Sequence, residues 1–484
     1  MIYNSNVKNA MKLMYEKHKG QVDKAGYPYV FHPLHVAEQM DDEKTIITAL
    51  LHDVVEDTNT TFKDLKDYGI ADDVIEALKL LTHNPNDDYF EYVRKISKNP
   101  IARKVKIKDL EHNMDLSRLD KIDTVDLERL YKYKSCHNFL VKIEKNLESA
   151  YDRQNEMKKI DFGNGKKVKD GMFGLAIADA IGVPAEFKPR SVLKRNPITD
   201  MIGYGTHSQP PGTWSDDSSM AIATMDSINE CGNINYDDIM KKFSEWMDDS
   251  KYTATGYFFD IGITTSNAIR RYKKGVPSIE CGDTGINTNG NGSLMRILPI
   301  VLYSYYNKLS NEEEIELINN ASALTHAHPI SCLGCKIYSD LIKGILDGKD
   351  IYEAYNSLKA ENYIGYYDKS TIDYYNRIFD GSLSVVGEND INSSGFVVDT
   401  LEASIWSNLN AGNYEDAVLK AVNLGNDTDT VGAITGSIAG ILYGYDNIPE
   451  KWRNNLKSKE FLESVCKSFE QRLDNNLNNK RVYK

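Results

Sequence analysis

Two short acidic motifs in the second half of the sequence combine paired carboxylates with a hydroxyl group. One lies in GTWSDDSSM, and the other is NDTDT, which directly precedes the apolar stretch VGAITGSIAGILYG. Aspartate and threonine favour helix N-termini, which explains one aspartate in each motif but not two that repel each other. Mg²⁺ and Mn²⁺ take about six oxygen ligands, so each motif supplies half of a site that folding must complete. The candidate ligands are Ser215, Asp216, Asp217, Asp427, Asp429 and Thr430.

An EF-hand calcium loop is excluded at the second motif. If Asp427 is its first position, Val431 and Ile438 occupy the fifth and twelfth positions, where oxygen ligands are needed. Paired metals can instead orient a substrate diol and activate water. Glu186, in FGLAIADAIGVPAEF, is a further acid available for that chemistry.

A glycine-rich loop, TNGNGSLMRILP, leads into an apolar stretch that is spaced as a helix. Backbone N–H groups at a helix start bind phosphates, and Arg296 adds a positive charge there. The loop matches neither the P-loop nor the dinucleotide fingerprint, so alone it does not identify a ligand. Nearby THAHPISCLGC offers a zinc-like set, but free cysteines are usually just buried, which favours a packing role for this set. Its members are His326, His328, Cys332 and Cys335.

The first part of the chain carries a different constellation in LLHDVVED. His52 and Glu56, and likewise Asp53 and Asp57, are four residues apart and share a helix face. Imidazole and carboxylate together suit Mn²⁺, Fe²⁺ or Zn²⁺, which would activate water or polarise a phosphate. The acids would then manage the proton. Further ligands have to come from elsewhere, and His32 and Asp109 are available.

Helical spacing of apolar residues recurs along the whole chain, and strand alternation is absent, which predicts an all-α protein. The glycine- and lysine-rich IDFGNGKKVKDG separates two parts. We therefore expect a metal-binding domain at 1–155, a linker at 156–169, a second helical domain at 170–470 and a polar C-terminal tail at 471–484.

Composition limits the function classes. The 484 residues carry a net charge of −13, so nucleic acid is not expected as a partner. Six scattered cysteines and the lack of a signal peptide or membrane span indicate a cytoplasmic protein. One basic stretch, RKISKNPIARKVKIK at 94–108, would either attract a phosphate-rich small molecule or form a solvated helix face.

The N-terminal motifs AGYPYVFHPLHVAEQM, ALLHDVVEDT and KIKDLEHNMDLSRL resemble the HD-domain hydrolases of the RelA/SpoT type, in order and at that family's spacing. The resemblance implies one Mn²⁺ and removal of the 3′-pyrophosphate from guanosine alarmones. Two departures concern substrate choice: Asp23 replaces one of the family's basic loop residues, and DLEHN replaces DRLHN. The implied roles are metal ligation by His32, His52, Asp53 and Asp109, water activation by Glu56 and Asp57, and nucleotide binding by Lys24 and Asn113.

The motifs DGMFGLAIADAIGVPAEF, GTWSDDSSM, NGNGSLMRILP, LTHAHP and LGNDTDTVGAITGSIAGILYG resemble the ADP-ribosylglycohydrolase family. The resemblance implies an all-α fold with two Mg²⁺ or Mn²⁺ ions, and cleavage of the glycosidic bond between ADP-ribose and its acceptor. It gives the two acidic motifs the role of metal ligands and makes Glu186 a ligand or water-activating acid. It also places Asn291, Gly292, Ser293, Met295 and Arg296 along the ADP-ribose pocket.

Together these features predict a bifunctional metal-dependent hydrolase. Its substrates would be an ADP-ribosylated protein or small ADP-ribose conjugate, and a nucleotide phosphate such as (p)ppGpp. An alternative is that one domain has lost catalysis and senses its nucleotide to regulate the other. A scaffold with decayed sites is disfavoured by the complete ligand sets. The acceptor of ADP-ribose and the oligomeric state stay open.

Overall fold

The computed structural model of the chain describes residues 2–84, 88–118, 126, 129–130, 132–141, 143–145 and 165–482, with side chains up to 474. The chain divides into two compact units, Met1–Glu148 and Ser149–Lys484. The predicted all-α class is confirmed, because the described residues form helices and only isolated β-bridges. Among these helices, none has the length and apolar character required to cross a membrane.

The first unit is a bundle of short helices. They are α1 (Ser5–Lys17), α2 (Phe31–Glu38), α3 (Glu43–Leu51), α4 (Val54–Asp57), α5 (Phe62–Asp67), α6 (Asp72–Leu81), α7 (Tyr89–Ile96) and α8 (Pro100–Met114). A 3₁₀ turn, Leu116–Arg118, follows, and residues 132–141 and 143–145 are also helical.

Sequence signals set the helix starts in this unit. Asn4, Asp42, Asp88 and Asn99 each accept a hydrogen bond from a backbone N–H of the first turn, and Thr61 forms a capping box. The apolar faces of α1, α2, α3, α6 and α8 close over one core. That core holds α2, α3 and α8 side by side, which matters because these helices carry the predicted metal ligands.

The basic stretch at 94–108, expected either to attract a phosphate-rich small molecule or to form a solvated helix face, is only partly exposed. It covers the end of α7 and the first half of α8. Arg103 is buried, where its guanidinium donates to Glu144 and to the carbonyl of Ser97. Lys106 is largely buried against Asp109. Two positive charges of the basic stretch, those of Arg103 and Lys106, thus lie in the interior of the unit rather than on a solvated face.

The second unit contains the longer helices. They are α9 (Val168–Gly182), α10 (Arg190–Leu193), α11 (Asp216–Cys231), α12 (Tyr236–Asp249), α13 (Ile263–Lys273), α14 (Leu298–Asn307), α15 (Asn311–Ala323), α16 (Pro329–Leu346), α17 (Ile351–Asn356), α18 (Lys369–Ile372), α19 (Asn376–Phe379), α20 (Val397–Leu409), α21 (Tyr414–Val422), α22 (Thr428–Tyr443), α23 (Glu450–Asn455) and α24 (Lys459–Val482). Short 3₁₀ turns lie at Val183–Ala185, Ser278–Glu280, Ile286–Thr288, Ala360–Tyr363, Asp373–Tyr375, Ser382–Ser384, Glu388–Asp390 and Tyr445–Asn447.

Helices α9 and α22 cross at backbone contact in the centre of this unit. A Cβ atom added to Gly174 would lie 2.2 Å from the carbonyl oxygen of Gly436, and one added to Gly440 would lie 2.2 Å from the carbonyl oxygen of Asp170. At the end of the crossing, the Thr428 hydroxyl donates to the carbonyl of Gly182 at 2.7 Å. Small residues in both apolar motifs therefore serve to bring the C-terminal end of α9 to the start of α22.

The predicted boundaries differ from the structure at the C-terminus. Helix α24 runs through the segment expected to be a polar tail, and Leu473 is fully buried in the core of the second unit. The tail prediction is wrong there, because one apolar residue per helical turn is enough to hold a mostly polar helix on the core. Most of the predicted linker, residues 156–164, lies outside the described residues, and Val168 already begins α9.

Substituting Gly174 by alanine should destabilise the second unit. The added methyl group meets backbone atoms of α22, which cannot move aside as a flexible side chain would. We expect the free energy of unfolding to fall by about 2 kcal/mol or more. The four tryptophans, 214, 246, 406 and 452, all lie in this unit, so urea unfolding followed by tryptophan fluorescence measures it alone.

Gly412→Ala is the matched control, because nothing lies within 4 Å of the Cβ it would add. Its stability should stay within roughly 0.5 kcal/mol of the parent. Equal stabilities of the two variants would show that the helices can separate at no cost.

Candidate functional site

Three helices of the second unit deliver carboxylates to one place. Donor atoms of Asp179, Asp217 and Asp429 lie within 4.8 Å of one another, and so do those of Glu186, Asp427 and Asp429. These residues come from α9 and the turn after it, from the first turn of α11, and from the start of α22. The two acidic motifs that are about two hundred residues apart in sequence therefore meet, through Asp217 and Asp429.

Asp179 organises the first acidic motif. Its carboxylate is fully buried and accepts hydrogen bonds from the backbone N–H of Ser215 at 2.9 Å and of Ser218 at 3.1 Å. It also accepts from the Ser218 hydroxyl at 2.5 Å. Ser215 is the N-cap of α11, with its hydroxyl at 3.3 Å from the N–H of Asp217. Asp179 thus fixes the helix start from which Asp216 and Asp217 project.

The second motif is held by hydrogen bonds to its own backbone and to a neighbouring loop. Asn291 donates to Asp427 at 2.7 Å and to the Thr400 hydroxyl at 2.8 Å. The N–H of Thr430 donates to Asp429 at 3.0 Å. Asn291, expected along the substrate pocket, therefore orients a candidate metal ligand in this structure.

The peptide segments beside the two groups adopt a costly conformation. Phe187 and Asn426 have φ values of 62° and 62°, in the left-handed region. They are joined by a 2.6 Å hydrogen bond from the N–H of Phe187 to the carbonyl of Asn426. Left-handed residues other than glycine cost about 1–2 kcal/mol each. The bond holds Glu186 and Asp427, the neighbours of these two residues, close together.

Electrostatics show that these acids fit a cation. Burial, together with repulsion from neighbouring carboxylates, raises the pKa of Asp216, Asp217 and Asp429 well above the usual value. Burial also raises the pKa of Asp179 and of Glu186, each to about 7. The Oδ1 atom of Asp217 is buried without a hydrogen-bond partner. Several carboxylate oxygens buried close together are the donor set that Mg²⁺ and Mn²⁺ prefer.

Glu186 has a histidine partner that the sequence did not single out. His207 donates from Nε2 to the Glu186 carboxylate, and its ring packs against Phe259 with the ring centroids 5.3 Å apart. Donor atoms of Glu186, His207 and Asp260 form a third group within 4.8 Å. The hydrogen bond with Glu186 raises the pKa of His207. Glu186 is thus placed between a hydrogen-bond donor and the carboxylates of the second motif.

The loop expected to line the ADP-ribose pocket is largely internal. Arg296 is buried, donates to the carbonyl of Ala321 and to the Thr325 hydroxyl, and lies 5.0 Å over the Phe243 ring. Burial lowers its pKa to about 10. Two of its nitrogens donate inside the protein, and its Nε is buried without a hydrogen-bond partner. Ser293 and Met295 are buried as well, and a Cβ added to Gly292 would lie 2.8 Å from the His326 ring.

Among the described residues, the alternative zinc set does not assemble. His326, His328, Cys332 and Cys335 form no three-donor group. The Cys332 sulfur lies 3.9 Å from the carbonyl oxygen of His326 and 4.0 Å from that of Asn319. Burial raises the pKa of Cys332 to about 12 and lowers that of His326 to about 3, so a neutral thiol and a neutral imidazole are favoured. Packing accounts for these side chains.

The first unit has its own convergence of donors. The Nε2 atoms of His32 and His52 lie 3.5 and 3.1 Å from Oδ2 of Asp53, and 3.2 and 3.7 Å from Oδ1 of Asp109. Donors that share one ion through bonds of about 2.0–2.2 Å lie roughly 3 to 3.6 Å apart, so these distances are close to those around a single transition-metal ion. Donor atoms of His32, His52 and Asp109 form a three-donor group within 4.8 Å, and Asp53 lies beside both imidazoles. His52 donates through Nδ1 to the carbonyl of Ala49, and its Nε2 is buried without a hydrogen-bond partner. The imidazole thus presents Nε2 towards the centre of the group.

The acids and a tyrosine around this centre occupy distinct positions. Tyr29 donates to Asp53 at 2.7 Å, which fixes a candidate ligand from outside. Burial raises the pKa of both Glu56 and Asp57. Glu56 accepts from the backbone N–H of His83 at 2.9 Å. Exposed carboxylates with raised pKa beside a metal position suit proton transfer to or from water.

A cavity of about 270 Å³ adjoins the His32 side of this centre. Lys24 and Asn113, the residues expected to bind a nucleotide, line it with Tyr29, Arg129 and Tyr133. The Oδ1 atom of Asp23 accepts from the N–H groups of Ala25 and Tyr27, each at 2.9 Å. The acidic replacement in the loop thus shapes the turn that presents Lys24.

Several site residues were missed from sequence. Asp179 had a usable signal, because it is the only acid inside the apolar helix FGLAIADAIG and burying it needs partners. His207 lies in a loop rich in small and polar residues, Asp260 follows two phenylalanines, and no spacing rule links either of them to Glu186. Lys106 was counted with the basic stretch rather than with Asp109, three residues further along one helix.

Comparison with known proteins now adds to the geometry. Residues 164–479 match the family model for ADP-ribosylglycohydrolase, which is well over half of the chain. The chain belongs to the ADP-ribosylglycohydrolase family. It is similar to ADP-ribosylarginine hydrolase Tri1 of Serratia proteamaculans (strain 568), with 34% identity over 303 residues, 63% of this chain and 78% of that protein. The second unit is accordingly a hydrolase of ADP-ribosyl conjugates.

A solved structure agrees with that assignment. It is described as an ADP-ribosylglycohydrolase-related protein complex, and it superimposes with a TM-score of 0.54 at 27% identity over 64% of this chain and 98% of its own. In the N-terminal part, 65 residues are 45% identical to guanosine-3′,5′-bis(diphosphate) 3′-pyrophosphohydrolase of Aquifex aeolicus (strain VF5). That match spans 13% of this chain and 9% of that protein, too little to assign a family to the first unit.

The stability of the metal-free second unit should fall as pH rises from about 4 to 7. Asp179 and Glu186 have pKa values raised to about 7 in the folded protein, so the folded state binds more protons than the unfolded state across this range. Ionisation then adds repulsion among the buried acids. Urea unfolding followed by tryptophan fluorescence at a series of pH values, with and without Mn²⁺, measures the effect.

Saturating Mn²⁺ should remove this loss, because bound cations favour the ionised carboxylates, and it should stabilise the unit by about 2.7 kcal/mol at one hundred times the dissociation constant. Asp429→Asn should abolish the response to Mn²⁺, whereas the exposed Asp249→Asn should leave it unchanged. Identical pH profiles with and without Mn²⁺ would contradict a metal site at these acids.

Proposed function

We propose that the second unit removes ADP-ribose from arginine side chains of proteins, using two divalent cations held by its acidic cluster. The observation that carries the proposal is the meeting of two carboxylate groups, one around Asp217 and one around Asp427, with Asp429 in both. The acceptor follows the activity of the Serratia relative, which is an ADP-ribosylarginine hydrolase. The domain limits 170–470 are part of this proposal, with α24 included up to at least Leu473.

Glu186 is the residue proposed to handle the proton. As water attacks the anomeric carbon of the ribose, the Glu186 carboxylate accepts a proton from it, the carbon–nitrogen bond breaks, and the departing guanidine nitrogen takes up a proton. His207 holds the carboxylate in place by its hydrogen bond. The bound cations would supply Lewis acidity toward the ribose hydroxyls and the attacking water.

The proposed ligands follow the geometry. Asp179 is added to the set taken from sequence, since it shares a group with Asp217 and Asp429. Ser215 and Thr430 are buried beside their motifs and supply hydroxyl oxygens. The full proposed set is Asp179, Ser215, Asp216, Asp217, Asp427, Asp429 and Thr430.

Arginine-linked ADP-ribose should be released in the presence of Mg²⁺ or Mn²⁺. A panel of arginine-, serine- and nucleobase-linked conjugates, assayed for free ADP-ribose by chromatography, identifies the acceptor. Glu186→Gln should lower the rate by roughly 10²-fold or more, the range of general base catalysis, and Asp429→Ala should lower it at least as far. Chelation should stop the reaction.

Glu415→Gln, on an exposed position of α21, is the control and should keep the parent rate. Release of ADP-ribose from the serine-linked conjugate alone would refute the arginine proposal but keep the hydrolase. Absence of release from any conjugate would count against the proposed mechanism.

For the first unit we propose metal-dependent hydrolysis of a phosphorylated nucleotide such as (p)ppGpp. Support comes from the three-donor group of His32, His52 and Asp109, with Asp53 beside both imidazoles, and from the adjoining cavity with Lys24 and Asn113. In this proposal the acids Glu56 and Asp57 would take the proton from the attacking water. The bond between the ribose 3′-oxygen and the adjacent phosphorus then breaks, pyrophosphate leaves, and the 3′-oxygen is protonated.

Incubation of the full-length chain with Mn²⁺ and guanosine 3′,5′-bis(diphosphate) should release pyrophosphate. His52→Ala and Asp53→Asn should each reduce release by about 10²-fold or more, because each removes a proposed ligand. Asp72→Asn, on the exposed side of α6, is the control for loss of an acid. Pyrophosphate is measured enzymatically, and nucleotide binding by isothermal titration calorimetry.

Binding without release would favour the alternative, in which this unit senses the nucleotide. Neither binding nor release would mean that the substrate lies outside this nucleotide class. The two results are distinct because calorimetry detects the nucleotide even when no bond is cleaved.

A further inference from the structure

We infer that Lys106 is a positioning residue of the first unit, one that holds Asp109 so that a metal ion meets only one of its oxygens. The inference rests on the metal site proposed for this unit and adds a residue to which no role has been assigned. The ammonium group of Lys106 is largely buried beside a candidate metal site. A positive charge in this place repels a metal ion, so a role in positioning a ligand explains why it is there.

Lys106 is placed for this by the helix that carries Asp109. Both lie on α8, three residues apart, so their side chains share one face. The Nζ atom is 2.8 Å from Oδ2 of Asp109, and only 12% of the lysine side chain is exposed. The ammonium lies 5.3 Å from the ring centre of Tyr92 and 5.8 Å from that of Tyr89, within the range of a cation–π contact.

The two oxygens of Asp109 therefore have different partners. Oδ1 faces the Nε2 atoms of His32 and His52 at 3.2 and 3.7 Å, and it accepts from Asn113 at 2.5 Å. Oδ2 faces the ammonium of Lys106 on the opposite side. With Oδ2 engaged, the carboxylate cannot rotate to present both oxygens to an ion between the two imidazoles.

Charge gives the arrangement a second effect. Asp109 is almost fully buried, and a buried charge needs a partner. The ammonium of Lys106 supplies that partner at 2.8 Å before any metal binds. The ligand is thus held in one orientation.

The alternative is that Lys106 only stabilises the fold, as an internal ion pair would. Its neighbour Lys108 provides the comparison within the same helix. Lys108 also pairs with an acid three residues later, Glu111, at 2.8 Å, but both partners are about one third exposed and Glu111 belongs to no three-donor group among the described residues. Lys106→Met and Lys108→Met thus remove the same charge at the same helical spacing.

The test is Mn²⁺ titration of the full-length chain by isothermal titration calorimetry. The class of binding sites that disappears in His52→Ala belongs to the first unit, and it is followed in the other variants. Lys106→Met should weaken that class by about 10-fold or more, the range seen when a partner of a metal ligand is removed. Lys106→Arg, which keeps a cationic donor, should recover most of the affinity. Lys108→Met should match the parent.

Circular dichroism of the metal-free variants checks that each is folded at the titration temperature. Equal Mn²⁺ affinity of the parent and a folded Lys106→Met would overturn the inference, as would failure of Lys106→Arg to recover affinity where Lys106→Met has lost it. If the parent shows no class of sites that depends on His52, the proposed metal site of the first unit fails instead. The two failures therefore give different titrations.

Discussion

The contact between the helices Val168–Gly182 and Thr428–Tyr443 is the one on which the rest of the second unit depends. Glycines on both helices let the backbones touch, and the threonine hydroxyl at the start of one helix bonds the last carbonyl of the other. A Cβ atom at Gly174 or Gly436 would lie 2.2 Å from a backbone carbonyl oxygen of the other helix, closer than real Cβ atoms come to their neighbours. This approach sets Asp179 and Asp429 within reach of each other.

Once that contact exists, several carboxylates are buried close together, and hydrogen bonds compensate only some of them. Hydrogen bonds satisfy Asp179 and part of Asp427, but burial raises the pKa of every acid in the two groups, and repulsion from neighbouring carboxylates raises it further for Glu186, Asp217 and Asp429. Proteins do not normally bury ionised acids unless a cation or hydrogen bonds compensate them. The fold therefore contains a place whose stability depends on its ligand, which is consistent with the metal-dependent hydrolase proposed for this family member.

In the first unit, the candidate ligand carboxylates are also compensated, but by different partners. Its two carboxylates are each tied from outside, Asp53 by a tyrosine hydroxyl and Asp109 by a lysine. Two imidazoles replace most of the acids, so the group carries less negative charge and suits a single transition-metal ion rather than a pair of hard cations. Outer partners of this type commonly tune metal affinity as strongly as the ligands do.

Sequence alone determined the all-helical class, the two-part organisation and most of the proposed ligands. Helical spacing, capping residues and the short motifs LLHDVVED, SDD and NDTDT are local properties, and local properties can be read along a chain. The small residues of the two apolar motifs are also present in the sequence, but the sequence does not show that they allow the two helices to contact each other.

Only the tertiary structure decided which side chains meet. It joined Asp179, His207 and Asp260 to the acids, turned Arg296 into the interior, drew Leu473 into the core and set Lys106 behind Asp109. The physical reason is that burial and partners depend on distances across the fold. The sequence does not distinguish a lysine on a solvated basic stretch from a lysine that contacts a metal ligand, because only packing differs between them.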